Sequence, residues 1–420
     1  MIKKLLKSKD NKKLLENFIS LFILQGMNYL LPLITFPYLV KVLGVENFGV
    51  LAFSTAVTAY FGMITDYGFN ITATRDISIH KVNSQKVIEI FSSVIIIKIL
   101  LGIISFFTLY ILVNLIDSWK KYQEIYYLTF GTVIGQIFLP IWFYQGIEKM
   151  KFFSIFNVIA KIIATIAIFI FVKNENDSYI VPLANSSAMI ISGIFSFWLI
   201  SKHFKVNFSF QKLVILKTYF VESWHVFISN FFGNFYRNFN ILALGFFASE
   251  LIVGYYAIAE KIIKIIQMAQ EIVGNVLFPH FSAKLVDDRK YFFNFHNKFF
   301  KYILAIYALI SILIFFLTGF ISGLLNGSEH TIYNIKIMSS VIVIGGLNYY
   351  FGILGLLTMG KNKIFANCIL ITGISNIVLS SILIYLLKDV GASFSLVLSE
   401  SILLSLLVFQ IRKLRSIEGL

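Results

Sequence analysis

Long apolar segments recur along almost the whole chain, and they constrain its fold more than any other feature. Of the 420 residues, 58% are hydrophobic and 14% are charged, whereas about a quarter of a typical soluble domain is charged. A membrane-spanning helix needs about 20 mostly apolar residues. Because backbone polar groups must be satisfied internally in lipid, the sequence predicts an all-α integral membrane protein with about twelve transmembrane helices.

Hydropathy predicts the positions of these helices and leaves no room for a large soluble domain. The predicted spans are residues 17–40, 49–67, 88–115, 125–144, 153–172, 179–200, 218–247, 251–279, 302–324, 335–358, 364–386 and 392–411. We expect a basic cytoplasmic tail at 1–16, a first six-helix lobe at 17–201 and a cytoplasmic connector at 202–217. A second six-helix lobe is expected at 218–411 and a cytoplasmic tail at 412–420.

The charge distribution predicts the orientation of the chain. The formal net charge is +15, but nucleic-acid binding needs a basic face on a folded soluble module, and the hydropathy leaves none. Most of the 36 Lys and Arg fall in segments that share the side of the N-terminus, and five fall on the other side: Lys41, Lys120, Lys121, Lys173 and Lys388. Because cytoplasmic loops are enriched in Lys and Arg, both termini are predicted to be cytoplasmic.

The sequence lacks the motifs of a cofactor-dependent or nucleotide-driven protein. The one cysteine, Cys368, is predicted to be a buried core residue, since no disulfide can form within the chain. There is no P-loop and no pair of histidines at metal-binding spacing. We therefore predict no cofactor and no metal, and we expect an ion gradient or the gradient of the substrate to drive transport.

Polar residues on one face of the eighth span indicate a hydrated cavity. Glu260, Lys264, Gln267 and Glu271 follow at spacings of four, three and four, which places them on one side of a helix. Ionisable residues inside a span cost roughly 2.5 to 3.5 kcal/mol each on insertion scales, so a face that carries several is expected to line a wet cavity. An i,i+4 pair of Glu260 with Lys264 that only neutralises itself is the alternative.

Further polar faces occur in the first, fifth and seventh spans. In the seventh, Glu222 and Asn240 share a face with Arg237, whose guanidinium can bind a phosphate or carboxylate in a forked geometry. Glu222 could equally lie at the cytoplasmic interface. Lys161 in the fifth span and Asn28 in the first are further cavity candidates, although small polar groups also form hydrogen bonds between helices.

Two further polar residues lie in the second and third predicted spans. Asp66 ends the second span, where a structural cap and an ion-binding carboxylate are equally compatible with the pattern. Lys98 is expected to extend towards the membrane interface. Together, the polar positions predict a somewhat cationic cavity suited to a large hydrophilic substrate with negative charge.

Motifs along nearly the whole chain resemble one family. The first two spans contain Asn28-Tyr-Leu-Leu-Pro-Leu-Ile-Thr-Phe-Pro-Tyr38, Val42-Leu-Gly44, Asn47-Phe-Gly49, Asp66-Tyr-Gly-Phe-Asn70 and Ala73-Thr-Arg75. Later motifs are Trp142-Phe-Tyr-Gln-Gly-Ile-Glu-Lys-Met150, Val253-Gly-Tyr-Tyr-Ala257 and Ala259-Glu-Lys-Ile262. These resemble the Wzx-type polysaccharide flippases of the multidrug/oligosaccharidyl-lipid/polysaccharide exporter superfamily.

The resemblance implies two six-helix lobes around a central cavity and alternating access. It implies transfer of undecaprenyl-pyrophosphate-linked oligosaccharide, for O-antigen or a related polysaccharide, across the bacterial cytoplasmic membrane. On this reading Arg237, Lys161 and Lys264 would attract the pyrophosphate or acidic sugars, with Gln267, Asn240 and Asn28 lining the cavity. Glu260, Glu271, Asp66 and Glu222 are the candidates for coupling an ion.

The predicted partners are the lipid-linked oligosaccharide, membrane lipids and, as a further candidate, a polysaccharide polymerase, but no nucleic acid. A drug/cation antiporter of the same superfamily is the nearer alternative, although a cationic cavity disfavours cationic drugs. A membrane-embedded polysaccharide polymerase or glycosyltransferase is the alternative from another class. The predicted external loops are too short to hold a catalytic constellation.

Overall fold

The computed structural model describes residues 9–235, 238–287, 289–325 and 327–417, and within these ranges the chain is helical without strands. Helices α1 to α7 are Lys9–Asp66, Phe69–His80, Ser84–Leu115, Asp117–Lys121, Gln123–Phe138, Ile141–Gly146 and Met150–Phe171. Helices α8 to α14 are Ile180–Lys202, Leu213–Phe235, Phe239–Phe247, Glu250–Asp287, Arg289–Leu324, Glu329–Phe351 and Asn362–Ile417. A 3₁₀ turn, Glu175–Tyr179, precedes α8, and a π-helical segment, Gly352–Leu357, follows α13.

The lengths of these helices agree with the predicted number of spans. Eight segments of the described chain are long and apolar enough to cross a membrane. The first and last of them, Phe22–His80 and Asn362–Ser416, contain 59 and 55 residues. At about 1.5 Å per residue, each is more than twice as long as a hydrocarbon core of about 30 Å, so each supplies two spans. Helices α9–α10 and α11 lie at the two remaining predicted spans.

Backbone breaks divide both of these long helices. In α1 the break is at Gly44, with φ 75° and ψ 170°, a region that residues with a side chain rarely adopt. In α14 it is at Lys388, with φ 53° and ψ −127°. The predicted single helix over 218–247 also differs from the structure, which has α9 and α10 there, with residues 236–237 between them outside the described ranges.

The chain forms two compact units. The first comprises Met1–Leu43 and Ser54–Phe231, and the second comprises Gly44–Phe53 and Phe232–Leu420. These units are defined by packing, whereas the lobes above are defined by the order of the spans. The predicted lobe and connector boundaries therefore stay a prediction.

Small residues bring helices of the first unit close together. A Cβ atom at Gly131 would lie 2.7 Å from the Cβ atom of Ser186, and one at Gly135 would lie 2.5 Å from that of Met189. These positions join α5 to α8. Close approach at small residues is the usual way in which membrane helices pack without a hydrophobic driving force.

The motif that begins at Trp142 supplies the core of the first unit. The side chains of Trp142, Phe143 and Tyr144 are completely buried on the short helix α6. The hydroxyl of Tyr144 donates to the carbonyl oxygen of Ser196 over 3.1 Å. This part of the family pattern therefore has a packing role.

A separate core fills the second unit. It contains Phe281, Tyr350, Leu354 and Leu407 from α11, α13, the π-helical segment and α14. Cys368 lies in the same core and is buried and free. The predicted core position of the cysteine is confirmed.

Apolar side chains also cover outward faces of the helices. On α12, Ile306, Leu309, Leu313, Phe316 and Phe320 recur every three or four residues and are all exposed. A continuous exposed apolar stripe of this size is unfavourable in water, but it suits a helix that faces lipid.

Candidate transport site

The polar face predicted on the eighth span lies on α11 in the second unit. The Lys264 ammonium is 2.9 Å from Oε2 of Glu260, whose side chain is 7% exposed, while that of Lys264 is 35% exposed. The i,i+4 pair that the sequence left open is therefore formed. Lys264 keeps one side accessible, whereas the Glu260 carboxylate is enclosed.

Beyond this pair, the same face becomes accessible. Gln267 packs against Gly345, where an added Cβ would lie 2.9 Å from its Nε2 atom. Glu271 is exposed, and one turn later Asn275 accepts a hydrogen bond of 2.8 Å from the hydroxyl of Tyr349. Carboxylate, amide and phenol groups thus share one accessible polar surface, which we call the α11 surface (Lys264, Gln267, Glu271, Asn275 and Tyr349).

Asn240 lies inside the second unit and its amide makes four hydrogen bonds. Its Nδ2 donates to the Tyr256 hydroxyl over 3.0 Å and to the Ala392 carbonyl over 3.2 Å. Its Oδ1 accepts from the hydroxyls of Ser380 and Ser395 over 2.6 and 3.3 Å. All the hydrogen-bonding capacity of the amide is used, so this geometry favours a structural role over substrate contact.

Lys161 and Asn28 meet in the first unit. The Lys161 ammonium on α7 donates to Oδ1 of Asn28 on α1 over 2.5 Å. Within the described ranges, no carboxylate pairs with this ammonium. One turn earlier on α7, Asn157 is buried and its Oδ1 has no hydrogen-bond partner among the described residues.

An apolar groove lies beside this pair on the same two helices. Its volume is about 360 Å³, and its lining on α7 ends at Ile159, two residues before Lys161. The lining residues are Glu16, Ile19, Ser20 and Ile23 of α1 and Lys151, Ser154, Ile155, Val158 and Ile159 of α7. We call this feature the α1–α7 groove.

Asp66 forms an ion pair that the sequence did not predict. Its Oδ1 is 3.2 Å from the ammonium of Lys98, and the two side chains are 29% and 4% exposed. The prediction that Lys98 extends to the membrane interface is wrong, because the carboxylate of Asp66 on another helix provides a partner inside the first unit.

The remaining candidates are Glu222 on α9 and Arg237 in the segment between α9 and α10. Glu222 is exposed on α9, while its neighbour Ser223 is buried and shares a hydrogen bond of 2.8 Å with Thr72. Arg237 lies outside the described residues. Its predicted role stays a prediction.

A cluster in the second unit was missed by the sequence reasoning. Asp389 is 2% exposed, and its Oδ2 accepts from Nδ2 of Asn334 over 2.8 Å and contacts Nδ1 of His330 at 3.1 Å. The sequence gives no signal for Asp389, because it lies in a predicted external loop beside Lys388. Within the described residues there is no group of three or more acidic, histidine or cysteine side chains that could hold a metal.

Comparison with known proteins identifies the family to which this chain belongs. The family model described as "Polysaccharide biosynthesis protein" matches residues 14–284. The chain belongs to this family. It is 29% identical over 399 residues to the "Putative O-antigen transporter" of Escherichia coli (strain K12), covering 94% of this chain and 96% of that protein. It is 30% identical over 271 residues to the protein of the same name from Shigella dysenteriae, covering 64% and 67%.

Solved structures share the fold at low sequence identity. An inward-facing multidrug resistance MATE transporter of the MOP superfamily has a TM-score of 0.72 and 12% identity, with coverage of 92% of this chain and 96% of that one. The lipid II flippase MurJ in an inward closed conformation has a TM-score of 0.67 and 16% identity, with coverage of 95% and 87%. The resemblance to the polysaccharide exporters and the all-α membrane fold are confirmed. This polysaccharide biosynthesis protein is a multi-pass membrane transporter and not an enzyme.

Proposed function

We propose that the protein is a flippase that moves an undecaprenyl-pyrophosphate-linked oligosaccharide, such as an O-antigen repeat unit, across the bacterial cytoplasmic membrane by alternating access. Its relatives are named as O-antigen transporters, and one of its structural neighbours is a lipid flippase. These comparisons support a lipid-linked glycan as the cargo.

The observation that carries the proposal is the position of Lys161 beside the α1–α7 groove. The groove is lined mainly by isoleucine and valine, and the ammonium lies on the same helix pair without a carboxylate partner among the described residues. An apolar groove next to a cation fits an amphiphile with an apolar chain and an anionic group. A cationic drug would be repelled by the same ammonium.

The α11 surface supplies the groups that a sugar needs. Gln267 and Asn275 offer amides, Glu271 offers acceptors and Tyr349 offers a hydroxyl and a ring. Hydroxyl groups of an oligosaccharide can exchange hydrogen bonds with water for hydrogen bonds with such side chains. The Lys264 charge is balanced by Glu260 at 2.9 Å, so this surface favours the hydroxyl groups of a sugar over an acidic group.

Charge inversion at Lys161 tests the proposal. In a strain without its own flippase, we expect Lys161→Glu to lower surface polysaccharide at least about tenfold, since a hydrogen bond to a charged group contributes about 1.5 to 3 kcal/mol. Lys161→Arg should retain most of the export because it keeps the charge. Surface glycan is measured by immunoblotting together with the amount of protein in the membrane.

Lys173→Glu is the matched control. Lys173 follows α7, is exposed and donates to the carbonyl of Phe169, so its inversion changes the net charge equally without touching the groove. Export by Lys161→Glu at the wild-type level, with equal membrane abundance, would contradict the cationic site.

A toxin-efflux assay separates the glycan flippase from the drug/cation antiporter. Deletion should abolish surface polysaccharide and cause lipid-linked repeat units to accumulate inside the cell, while sensitivity to cationic dyes stays unchanged. Altered dye sensitivity with intact surface polysaccharide would instead favour the antiporter.

A further inference from the structure

A buried carboxylate lies at the backbone break of α14 in the second unit. Asp389 follows Lys388, the residue with positive φ, and is almost completely enclosed. Its Oδ2 accepts from Asn334, whose own Oδ1 accepts from the hydroxyl of Ser393 over 2.9 Å. The carboxylate is therefore held in one orientation by an amide that is itself fixed.

His330 connects this buried carboxylate to the exterior of the unit. Its Nδ1 contacts Oδ2 of Asp389 at 3.1 Å, while 55% of its side chain is exposed. The ring is stacked on Tyr255 of α11, with centroids 5.3 Å apart and planes 11° apart. Asp389 therefore holds Nδ1 of the imidazole and Tyr255 holds one face of its ring, while the rest of the side chain stays accessible.

We propose that His330 and Asp389 form the proton-binding site that couples transport to a proton gradient. In neutral His330, Nδ1 donates to Asp389, so an incoming proton binds at Nε2, for which the described residues provide no partner. A buried charge is unfavourable unless it is paired. Proton binding at His330 converts the enclosed carboxylate into half of an ion pair and stabilises the junction of α13 with α14.

Other charged groups near the pair do not replace the histidine. Lys388 adjoins Asp389, but its ammonium donates to the carbonyl of Phe247 over 2.7 Å. Glu329 precedes His330 and is exposed. On α13, Lys336 is exposed and lies 5.7 Å from the ring centroid of Phe315. Of these groups, His330 is the one that contacts the Asp389 carboxylate, and imidazole is the side-chain type that usually exchanges protons near neutral pH.

The predicted orientation gives this site a direction. Lys388 falls in one of the segments predicted to face away from the cytoplasm, so His330 and Asp389 would receive protons from the outer side. Protons that enter there as oligosaccharide leaves would drive export. The site thereby deepens the proposed function, on which it rests, by naming the proton as the coupling ion.

Flipping in proteoliposomes tests the proposal. The full-length protein is reconstituted with a fluorescent lipid-linked oligosaccharide, and the flipping rate is measured with and without a proton gradient. We expect the gradient to accelerate flipping by the wild type. In His330→Asn, which retains a donor for Asp389 but does not titrate, the ratio of the two rates should fall to about one, and Asp389→Asn should behave alike.

His80→Asn is the matched control. His80 contacts the backbone carbonyl of Asp76 through Nδ1 at 2.9 Å, so the same substitution removes a histidine without a carboxylate partner. Its rate ratio should equal that of the wild type. A wild-type ratio in His330→Asn would overturn the coupling site, and so would a wild type that flips the glycan without responding to the gradient. Absence of flipping by the wild type would instead contradict the proposed function.

Discussion

In the ion pair of Asp66 with Lys98, the two side chains are buried to different extents, so removing one partner costs more stability than removing the other. The ammonium is 4% exposed and the carboxylate 29%. Removing one partner of a buried pair costs about 3 to 5 kcal/mol, because the other charge stays buried without compensation. Asp66→Asn should therefore destabilise the protein more than Lys98→Met, which leaves the more accessible group unpaired.

Apparent melting temperatures of the purified protein in detergent check this prediction. The loss of Asp66 should be visible because, among the described residues, Asp66 is the carboxylate that pairs with Lys98. The double variant Asp66→Asn/Lys98→Met should recover much of the loss. Equal melting temperatures of Asp66→Asn and wild type would show that Lys98 does not depend on Asp66. Wild-type export by a stable double variant would show that the Asp66 carboxylate is not required to couple an ion.

Sequence spacing predicts contacts along one helix better than contacts between helices. Glu260 and Lys264 are four residues apart, so their pairing was foreseeable from the helical period. Asp66 and Lys98 belong to different helices, and no pattern in either segment predicts that the two residues pair. Asp389 was missed for the same reason, because its partners lie about 55 to 60 residues earlier in the chain.

At the level of helices, two glycines allow backbones of the second unit to touch. A Cβ at Gly49 would lie 2.1 Å from the carbonyl oxygen of Glu250, and one at Gly254 would lie 2.2 Å from that of Val45. We expect Gly49→Ala and Gly254→Ala to reduce folded protein in the membrane severely, because the obstructing atoms are backbone and cannot move aside.

Gly319→Ala and Gly323→Ala are the controls, since an added Cβ meets nothing within 4 Å at either position. Both controls lie inside α12, where alanine is preferred to glycine by about 1 kcal/mol. Fluorescence-detected size exclusion compares the amounts of folded protein. Wild-type amounts for Gly49→Ala would show that the close crossing is not required.

The same contacts give a physical reason for part of the family resemblance. Gly49 closes the Asn47-Phe-Gly49 motif, and Gly254 belongs to Val253-Gly-Tyr-Tyr-Ala257. Hydropathy predicted the spans that contain these glycines, but it did not predict that the backbones of α1 and α11 approach each other there. The breaks at Gly44 and Lys388 lie in the predicted connections 41–48 and 387–391. Hydropathy therefore located both breaks, but it did not predict that the helix would continue on either side of a single non-helical residue.

For the whole molecule, hydropathy predicts the architecture well because lipid imposes one requirement on every span. Helices that satisfy their own backbone hydrogen bonds and present apolar side chains outward meet this requirement, as the exposed stripe of α12 does. The same hydropathy cannot identify substrate contacts, since Asn240 and Lys161 look alike as isolated polar residues. Only the structure distinguishes the fully hydrogen-bonded amide of Asn240 from the ammonium of Lys161 beside an apolar groove.

Orientation is the whole-molecule property on which the proton site depends, and it can be tested with single cysteines. In a Cys368→Ala background, we place a cysteine at Asn176 or at Val82, both of which are exposed in connections between helices. The excess of Lys and Arg on one side predicts that Asn176 faces outward and Val82 faces the cytoplasm. A membrane-impermeant maleimide should label Asn176→Cys in intact cells and Val82→Cys only after permeabilisation. The reverse pattern would place His330 and Asp389 on the cytoplasmic side. Protons driven inward by the gradient could not then reach His330 from outside the cell, and the coupling proposal would be physically impossible.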